Sequence, residues 1–560
     1  MENLNETLAN LIFPDITETI EDLEKKYPAR NLKEGAYVTR FAPSPTGFLH
    51  SGSLFTTLVD YFFAKQTDGI FYIRLEDTDQ KREIEGSGNT LLNELAKFNI
   101  IPDEGYLGDH ESGQYGPYTQ SKRQHIYDIV IKDLLKKGLA YPCFCSSEEL
   151  EELRRMQEKK KIRPGYYGKY AKYHSITPNE AIERIKNGEP YIIRFKSSGN
   201  ENNKITVYDE IRGKLELTEN DLDIVIRKGD GLPTYHFAHL VDDHFMHTNL
   251  VIRGEEWLPS LPIHYELFKT MNWEFPKYAH LPVVMKIGEN GSRRKLSKRL
   301  DAEAAVSYFL DNGYPKNGLI EYLLTIINSN FEEWRMENTK ASLNDFKLSF
   351  EKFSFDGALF DLDKIKNICK ETLSRMNKKE ITDKICSWAA TYDLELKGLI
   401  DQDRAYFEEI MNIEREIEKP RKDYEKYSDI KESILFFYDN YYNNMLNDEL
   451  PFNPAISEKD TINVLETFIK ENDTTLAETE WFNNLKRIAV ICGFCDNVKE
   501  YKKNKEAYKG HIGDVASIIR IAMCTKTRSP NLYNILQILG KERYEERINK
   551  TIQKIKESSN

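Results

Sequence analysis

The chain has 560 residues, and at roughly 100–200 residues per domain this length predicts about three to five domains. Apolar residues make up 40% of the chain and aromatic residues 12%, which is enough to bury real cores and excludes a wholly disordered protein. No apolar run approaches the roughly 20 residues that cross a bilayer, and the N-terminus lacks the basic start and apolar stretch of a secretory signal. We therefore expect a cytoplasmic protein without a membrane segment.

Charge is distributed unevenly along the chain. The net charge of −12 argues against a uniformly basic nucleic-acid binder. Residues 496–560 nevertheless carry 14 Lys and Arg against 8 Asp and Glu, a net of +6, so the remainder carries −18. A basic end on an acidic chain suits a polyanion that contacts that end, and a solvated helical surface is an equal alternative. Seven scattered cysteines argue against a disulfide framework in a chain this long.

The predicted elements begin with an N-terminal extension, residues 1–36, which contains two short helical patterns. The first strong strand is Ala36–Phe41, and a proline- and glycine-rich stretch follows it. A helical pattern starts after Gly52, and a second strand is predicted at Ile70–Leu75. This order of strand, turn, helix and strand predicts a parallel βαβ unit.

The predicted secondary structure changes from segment to segment along the rest of the chain. Residues 118–222 mix helices with short strands and are predicted to form an inserted α+β domain. Strand patterns resume between 223 and 305, residues 306–385 are mostly helical, and 386–560 are almost entirely helical. The predicted fold class is therefore α/β and multi-domain, with an all-helical C-terminal region.

The first run with chemical content is Arg40–Ser53, between the predicted strand and helix. The first turn of a helix offers free N–H groups and a partial positive charge, so it can bind phosphate. Gly47 and Gly52 allow the backbone to approach a ligand closely, and His50 can donate a hydrogen bond to a phosphate oxygen. An ordinary strand-to-helix loop with a capping serine is the alternative interpretation.

The second run is Lys295-Leu296-Ser297-Lys298-Arg299. Ammonium groups on flexible side chains can stabilise negative charge that develops on phosphate oxygens in a transition state. Lys298 is the main candidate, with Lys295 beside it, and three arginines enlarge the positive field: Arg293, Arg294 and Arg299. Taken alone, this pentamer is more often a solvated basic loop.

Together the two runs resemble the signatures of the glutamyl branch of class I aminoacyl-tRNA synthetases. The stretch Arg-Phe-Ala-Pro-Ser-Pro-Thr-Gly-x-Leu-His is similar to the opening of that branch, and His50–Ser53 takes the position of the class signature His-Ile-Gly-His. Ser51 and Ser53 depart from that signature. Lys295–Arg299 looks like the mobile Lys-Met-Ser-Lys-Ser loop in its glutamyl form. The resemblance is strong over residues 36–380 and weak beyond.

The resemblance implies a division of the chain. It consists of the extension 1–36, the first half of a Rossmann-type catalytic domain 37–117, an inserted acceptor-end-binding domain 118–222, the second half of the catalytic domain 223–305, a stem-contact helical domain 306–385 and a helical anticodon-binding domain 386–560. The C-terminal match rests on Arg520, Arg528–Leu532 and Leu539–Glu542.

The resemblance also assigns site residues. Glutamate carries two carboxylates and one ammonium, so a selective pocket needs an arginine and an acid. The implied catalytic residues are His50, Lys298 and Lys295. The implied ATP-binding residues are Pro43, Thr46, Gly47, His50, Gly52, Ser53 and Lys298. The implied glutamate-binding residues are Arg40, Ser44, Glu76, Tyr235, His239 and Arg253. His239 stands where better-known members have asparagine.

The implied reaction is a two-step ligation. The α-carboxylate of L-glutamate attacks the α-phosphorus of ATP, and the 2′-hydroxyl of the terminal adenosine of tRNA(Glu) then attacks the glutamyl-adenylate. The enzyme mainly positions and neutralises the reactants. Mg²⁺ is expected with ATP. The family suggests a monomer.

The cysteines suggest two further sites. Cys143-Phe144-Cys145 resembles the start of a zinc site in some relatives, but Tyr166–Tyr170 supplies tyrosine where they have cysteine, and His174 is a poor substitute. Zinc needs about four ligands, so zinc loss is favoured over retention. Cys492 and Cys495 lie in an apolar helical pattern and are predicted to be buried.

Two rival functions remain. One is a glutaminyl-tRNA synthetase, which the helical C-terminal region disfavours because that branch usually carries a β-barrel there. The other is a catalytically inactive paralogue that binds RNA or nucleotide, which the presence of His50, Lys298 and Glu76 disfavours. A charging assay with glutamate, glutamine and total tRNA separates the three.

Overall fold

The structure is a computed structural model, and it describes residues 3–45, 47, 49–79, 84, 86–288, 290–296, 300–354 and 359–558. The chain divides into two compact units. The first unit comprises Met1–Phe309 and Ile320–Asp361, and the second comprises Leu310–Leu319 and Leu362–Asn560. Within the described part of the chain, every helix is too short or too polar to span a bilayer.

Strands and helices are mixed through the first 340 residues. The strands are β1 (Val38–Phe41), β2 (Ile70–Ile73), β3 (Glu104–Tyr106), β4 (Glu111–Ser112), β5 (Ala140–Cys143), β6 (Ile192–Phe195), β7 (Lys204–Asp209), β8 (Gly213–Thr218), β9 (Val225–Arg227), β10 (Leu250–Gly254), β11 (Lys277–Leu281), β12 (Met285–Ile287) and β13 (Arg293–Lys295). The helices are α1 (Leu4–Ile12), α2 (Ile20–Lys26), α3 (Ser51–Gln66), α4 (Ser87–Lys97), α5 (Gln124–Lys136), α6 (Ser147–Lys159), α7 (Pro178–Lys186), α8 (Tyr235–Phe245), α9 (Leu261–Met271), α10 (Val306–Asp311), α11 (Lys316–Ile327) and α12 (Phe331–Glu337). Short 3₁₀ turns lie at Gln120–Arg123, Gly168–Tyr170, Glu255–Ser260, Ala302–Ala304, Leu343–Asp345 and Phe350–Lys352.

The predicted parallel βαβ unit is confirmed. β1 pairs in parallel with β2, and α3 joins the two strands. Both strands are almost wholly buried, as expected of a sheet covered on both faces. Gly69 permits the tight entry into β2, because a Cβ there would lie 1.9 Å from the carbonyl oxygen of Tyr37. Each observed strand is two residues shorter than predicted: β1 starts two residues later, and β2 ends two residues earlier.

β1 lies beside β10, and the side chain of Asn249 joins them. Its Oδ1 accepts from the N–H of Val38 at 2.8 Å, and its Nδ2 donates to the carbonyl of Ala36 at 2.9 Å. β10 pairs in parallel with β11, and β3 pairs in parallel with β2. The strands therefore run β3, β2, β1, β10, β11, and their sequence order reverses between β1 and β10, where open α/β sheets bind ligands at the carboxyl ends of the strands.

The segment predicted as an insertion contributes to two sheets. β5, β6 and β9 form a separate antiparallel sheet. The antiparallel hairpin β7–β8 instead extends the sheet of the second half, because Asp209 at the end of β7 pairs in parallel with Tyr278 in β11. β12 and β13 form a further hairpin just before residues 295–299.

The N-terminal extension packs into the core of the first unit. Phe13, Leu23 and Tyr27 are buried among residues of α5 and α8. The ammonium of Lys132 in α5 donates to the carbonyls of Phe13 at 2.9 Å and Ile16 at 2.6 Å. The tyrosine hydroxyl of Tyr27 donates to the carbonyl of Gly116 at 2.9 Å. These contacts make the extension part of the folded unit.

The regular elements among the described residues of the second unit are all helices, which confirms the predicted helical C-terminal region. Its helices are α13 (Leu362–Ser374), α14 (Lys378–Tyr392), α15 (Leu394–Gln402), α16 (Arg404–Asn412), α17 (Ile430–Ile434), α18 (Asp439–Met445), α19 (Glu458–Glu471), α20 (Glu478–Ile491), α21 (Val498–Lys503), α22 (Ile512–Cys524) and α23 (Leu532–Ser558), with 3₁₀ turns at Tyr427–Asp429, Leu435–Phe437 and Lys505–Ala507. α23 is interrupted at Gly540, whose φ is +76°.

Cys492 and Cys495 are both buried, as the sequence predicts, but the predicted helical setting is wrong. α20 ends at Ile491, and Gly493 adopts a φ of +86°, so the chain turns between the two cysteines. The N–H of Cys495 then donates to the carbonyl of Gly510 at 2.9 Å. The apolar pattern therefore reflects burial of a turn after the helix.

Candidate active site

A cavity of about 1150 Å³ opens at the carboxyl ends of β1 and β10. This is the place where the order of the parallel strands reverses. The following predicted site residues line it: Arg40, Ser44, His50, Gly52, Ser53, Glu76, Tyr235, Arg253 and Lys295. The structure thus brings residues from both sequence motifs and from the predicted amino-acid pocket to one cavity.

Five other predicted residues are placed differently. Thr46 and Lys298 lie outside the described residues. Pro43 and Gly47 do not line the cavity, although the carbonyl of Pro43 accepts from the N–H of Glu76 at 2.9 Å. His239 is completely buried behind the cavity wall, so its predicted direct contact with glutamate does not fit its position.

His50 is the N-cap residue of α3. Its Nδ1 accepts from the N–H of Gly52 at 3.0 Å, so in the neutral ring the proton lies on Nε2, which can donate. A Cβ at Gly52 would lie 3.2 Å from that Nδ1, which is a tight contact. The preceding N–H, of Leu49, donates to a carboxylate oxygen of Glu94 at 2.7 Å. These bonds fix the start of the helix at the cavity.

Ser51, a departure from the family signature, links the two motifs. Its hydroxyl donates to the carbonyls of Glu303 at 2.9 Å and Ala304 at 3.2 Å. The N–H of Val306 donates to the carbonyl of Leu49 at 3.2 Å. The segment just after residues 295–299 is therefore hydrogen-bonded to the start of α3.

The second motif approaches the same cavity. Lys295 ends β13, and its ammonium lies 3.4 Å from a carboxylate oxygen of Glu256, with both side chains about half exposed. Such an exposed ion pair is weak, so the ammonium can exchange this partner for a phosphate oxygen. Lys295 and His50 thus face a shared space.

Two arginines and one acid give the inner part of the cavity its charge. Arg40 lies in β1 and Arg253 in β10, and both are buried. Glu76 follows β2, and its carboxylate accepts from Nη2 of Arg74 at 3.0 Å. Two guanidinium groups and one carboxylate complement a ligand that has two carboxylates and one ammonium.

A series of side chains of alternating charge holds Arg40 and Glu76 in place. Nε of Arg40 lies 3.4 Å from Oδ2 of Asp243, and Nη1 of Arg74 lies 2.5 Å from Oδ1 of the same carboxylate. Arg74 in turn pairs with Glu76. Breaking a buried pair leaves a charge without its partner, which is strongly destabilising. Asp243 therefore sets the separation of Arg40 and Glu76.

The pKa values of the buried acids in this region are shifted in opposite directions. Burial raises the pKa of Glu76 against the opposing charge of Arg74, and it raises the pKa of Asp60 well above its ordinary value. Although burial alone would raise it, Arg74 and Arg40 hold the pKa of Asp243 well below its usual range. Asp243 is thus the permanent anion between the two arginines.

An aromatic wall completes the pocket. Tyr235 begins α8, and its ring lies 4.4 Å from that of Trp257. The hydroxyl of Tyr235 accepts from Nη1 of Arg253 at 3.4 Å. Trp257 is 37% exposed and lines the cavity. The two rings exclude water from one side of the charged groups.

Comparison with known proteins decides the family. A family profile described as "tRNA synthetases class I (E and Q), catalytic domain" matches residues 36–364, and one described as "Anticodon binding domain" matches residues 380–552. The chain belongs to the class I tRNA synthetases of the E and Q group. The predicted family and the predicted α/β fold with a helical C-terminal region are thereby confirmed.

Relatives of this synthetase match nearly its whole length. The glutamate–tRNA ligase of Clostridium perfringens strain 13 is 47% identical over 97% of this chain and 100% of its own. That of Sorangium cellulosum is 38% identical over 94% of this chain and 97% of its own. A crystal structure of a glutamate tRNA ligase from Elizabethkingia meningosepticum in complex with its amino acid aligns with a TM-score of 0.71 and 26% identity, covering 93% of this chain and 99% of that one.

Several residues of the synthetase site were missed from sequence. Asp60, Asp243 and Trp257 were given no role, although Asp60 and Trp257 line the cavity and Asp243 lies behind it. A signal was available for Asp243, because Asp242-Asp243 interrupts an otherwise apolar stretch of α8. Charged residues at buried helical positions are paired or functional.

A second cluster of the synthetase surrounds Cys143 and Cys145. The hydroxyl of Tyr166 lies 3.5 Å from the sulfur of Cys143 and 3.6 Å from that of Cys145. It also accepts from the N–H of Tyr173 at 2.9 Å. Nδ1 of His174 lies 2.6 Å from Asp223. The phenol of Tyr166 thus contacts both thiols, where relatives with zinc have further sulfur ligands. The loss of zinc stays a prediction.

Proposed function

We propose that this synthetase is a glutamate–tRNA ligase, which activates L-glutamate with ATP and transfers it to the 3′ end of tRNA(Glu). The observation that carries the proposal is the meeting of Arg40, Arg253 and Glu76 with His50 and Lys295 in one cavity. The first three suit an amino-acid dianion, and the last two suit a nucleotide triphosphate.

The rival glutaminyl activity fits this pocket less well. The side chain of glutamine is neutral, so a second buried guanidinium would face it without a matching charge. The described C-terminal residues are helical rather than a β-barrel. An inactive paralogue would have no need of His50, Glu76 and Lys295 in one cavity.

In the proposed first step, the chain binds and orients the two substrates. Arg40 meets the γ-carboxylate, Glu76 meets the ammonium, and Arg253 provides the second positive charge. These contacts hold the α-carboxylate of glutamate near the α-phosphorus of ATP, which lowers the entropy cost of attack. Ser44 and Tyr235 complete the proposed amino-acid contacts.

On the nucleotide side, Nε2–H of His50 donates to a phosphate oxygen, and the amino end of α3 attracts the phosphate charge. Gly52 and Ser53 lie in that first turn, with Pro43, Thr46 and Gly47 proposed in the loop before it. Lys295 and Lys298 stabilise the charge that develops on pyrophosphate.

Magnesium is proposed to accompany ATP. Mg²⁺ prefers oxygen ligands and is usually held by phosphates and one or two carboxylates. Asp79, Asp230 and Glu256 line the cavity and provide that donor type. When bound, Mg²⁺ neutralises phosphate charge during the displacement.

The proposal extends to the partners and domains. The division predicted from sequence, with an acceptor-end domain at 118–222 and an anticodon-binding domain at 386–560, assigns tRNA to both. The basic residues 496–560 support contact with the RNA backbone. A cytoplasmic monomer is the proposed working form.

The test is a charging assay with purified protein, ATP–Mg²⁺ and total tRNA, using glutamate and glutamine separately. We expect glutamyl-tRNA and no glutaminyl-tRNA. Charging with glutamine would establish the rival, and charging with neither would establish the inactive paralogue. Purified glutamine tRNA, offered with glutamate, tests whether the anticodon is read strictly.

A variant links the activity to the pocket. Arg40→Gln should raise KM for glutamate by about a hundredfold, since a charge-assisted pair is lost, and leave KM for ATP nearly unchanged. Arg194→Gln is the matched control, because Arg194 is an equally buried arginine in β6 that does not line the cavity. Equal KM values for the two variants would contradict the assigned pocket.

A further inference from the structure

Arg253 is held from behind by a histidine. Its Nε lies 3.0 Å from Nε2 of His280, and its Nη1 contacts Nδ1 of His264 at 3.2 Å. His280 lies in β11, the strand next to β10, and its side chain is completely buried. The guanidinium is planar, so a hydrogen bond at its Nε edge also fixes the orientation of its two terminal nitrogens.

His280 is in turn held by Asp209 at the end of β7. Oδ2 of Asp209 accepts from Nδ1 of His280 at 2.7 Å and from its backbone N–H at 3.0 Å. Oδ1 accepts from the N–H groups of Ile211 at 3.0 Å and Arg212 at 2.9 Å. One buried carboxylate thus joins the β7–β8 turn to the strand behind the pocket.

These bonds determine the tautomer of His280. A carboxylate only accepts, so the proton lies on Nδ1 and faces Asp209. Nε2 then carries the lone pair, which accepts from the Nε–H of Arg253. Burial lowers the pKa of His280, so the ring stays neutral and keeps that lone pair.

We propose that His280, oriented by Asp209, is a positioning residue that fixes the guanidinium of Arg253 and thereby sets the affinity of the enzyme for glutamate. The inference rests on the proposed function. Bidentate recognition of a carboxylate depends on the orientation of the guanidinium plane. A rotated Arg253 would therefore keep its charge but lose the orientation that two parallel hydrogen bonds require. The hairpin β7–β8 thus contributes to the amino-acid pocket through a residue that never touches substrate.

Two substitutions separate positioning from simple stability. His280→Asn keeps a donor near the Nδ1 position for Asp209 and removes the acceptor for Arg253. His280→Gln places an amide oxygen near the Nε2 position and keeps that acceptor. We expect His280→Asn to raise KM for glutamate by about 10- to 100-fold, the size of a lost hydrogen bond to a charged group, with KM for ATP unchanged. His280→Gln should recover most of that loss.

His174→Asn is the matched control, since His174 also contacts an aspartate through Nδ1, in a pair that does not touch Arg253. It should leave both KM values unchanged. Equal glutamate KM values for His280→Asn and the unaltered enzyme would overturn the inference alone. If the unaltered enzyme binds no glutamate, the proposed function fails as well.

A measurement on the unaltered enzyme covers the case in which His280→Asn does not fold. Long-range ¹⁵N–¹H spectra of labelled histidines report which ring nitrogen carries the proton, and the signal of His280 is the one that His280→Gln removes. A protonated Nδ1 with a bare Nε2 is the expected result. A proton on Nε2 would overturn the inference, because that nitrogen could not accept from Arg253.

Discussion

Arg294 and Asp301 form a two-point ion pair across the base of the loop that carries the second basic motif. Nη1 of Arg294 lies 2.6 Å from Oδ2 of Asp301, and Nη2 lies 2.7 Å from Oδ1. Lys286, opposite Arg294 in the β12–β13 hairpin, reaches the same carboxylate at 3.2 Å. This pair therefore anchors the described residues on the two sides of the loop, and a contribution of Arg294 to the positive field stays a prediction.

The first prediction concerns this anchor. Asp301→Asn cannot accept both hydrogen bonds from Arg294, so the loop should lose its fixed base. We expect the rate of glutamate-dependent ATP–pyrophosphate exchange, measured with tRNA present, to fall about tenfold. This is roughly the effect of losing one hydrogen bond between charged groups. Glutamate binding should be unchanged. Asp128→Asn, which breaks a partly buried pair with Arg227, is the control. A similar slowing in that control would mean that the anchor has no special role.

The second prediction concerns Lys298, the second lysine of the motif. Lys298→Ala should slow adenylate formation by orders of magnitude, because its ammonium is needed most when charge builds on pyrophosphate. Glutamate binding, measured by calorimetry, should stay nearly intact. Lys277→Ala, at a half-exposed lysine in β11, is the control. Pyrophosphate-exchange rates that match those of the unaltered enzyme would refute the role of Lys298.

The sequence predicted those parts of the site that lie in contiguous patterns. His50 follows a predicted strand and a glycine-rich turn, and the roles of Arg40 and Glu76 came from the resemblance of the sequence around them to the glutamyl branch. Local pattern could mark Asp243 as a charge within a helix, but it could not identify its partner, since Arg40 is 203 positions away. The contact exists only after β1, β2 and α8 have packed.

His239 shows the opposite error. The resemblance placed it among the glutamate contacts, because it stands where better-known members of the family have asparagine. The structure buries its ring behind the wall instead, where Nδ1 lies 2.9 Å from Asp243 and Nε2 lies 2.9 Å from the hydroxyl of Tyr278. The position of a residue along a helix does not give the burial of its side chain. Burial separates a residue that contacts the ligand from one that supports the contact.

The third prediction follows from that burial. Burial lowers the pKa of His239 to about 4, against the favourable charge of Asp243, from the ordinary value of 6.5. Between these values the unfolded chain binds a proton at this position and the folded chain does not. The free energy of unfolding should therefore fall as the pH drops from 6.5 towards 4, by at most about 1.4 kcal/mol per pH unit for this histidine. Above pH 6.5 the contribution is constant.

Urea unfolding of His239→Asn at pH 7 and pH 5 measures this linkage. The variant should show a smaller loss of stability at pH 5 than the unaltered protein, since one proton fewer is taken up on unfolding. His110→Asn, at a side chain that is 62% exposed, is the control and should keep the full pH dependence. An unchanged pH dependence in His239→Asn would show that other buried groups account for it.

The fourth prediction concerns the N-terminal extension. Phe13 is 5% exposed and packs in the core of the first unit, whereas Leu4, near the start of α1, is 38% exposed. Phe13→Ala should lower the free energy of unfolding by about 3–5 kcal/mol through lost burial and the cavity left behind. Leu4→Ala should lower the free energy of unfolding much less, because the exposed side chain leaves no cavity.

Urea unfolding with paired activity assays tests both variants. KM for glutamate should not change, since neither residue lines the active-site cavity. Equal stability losses would contradict a place for Phe13 in the core of the first unit.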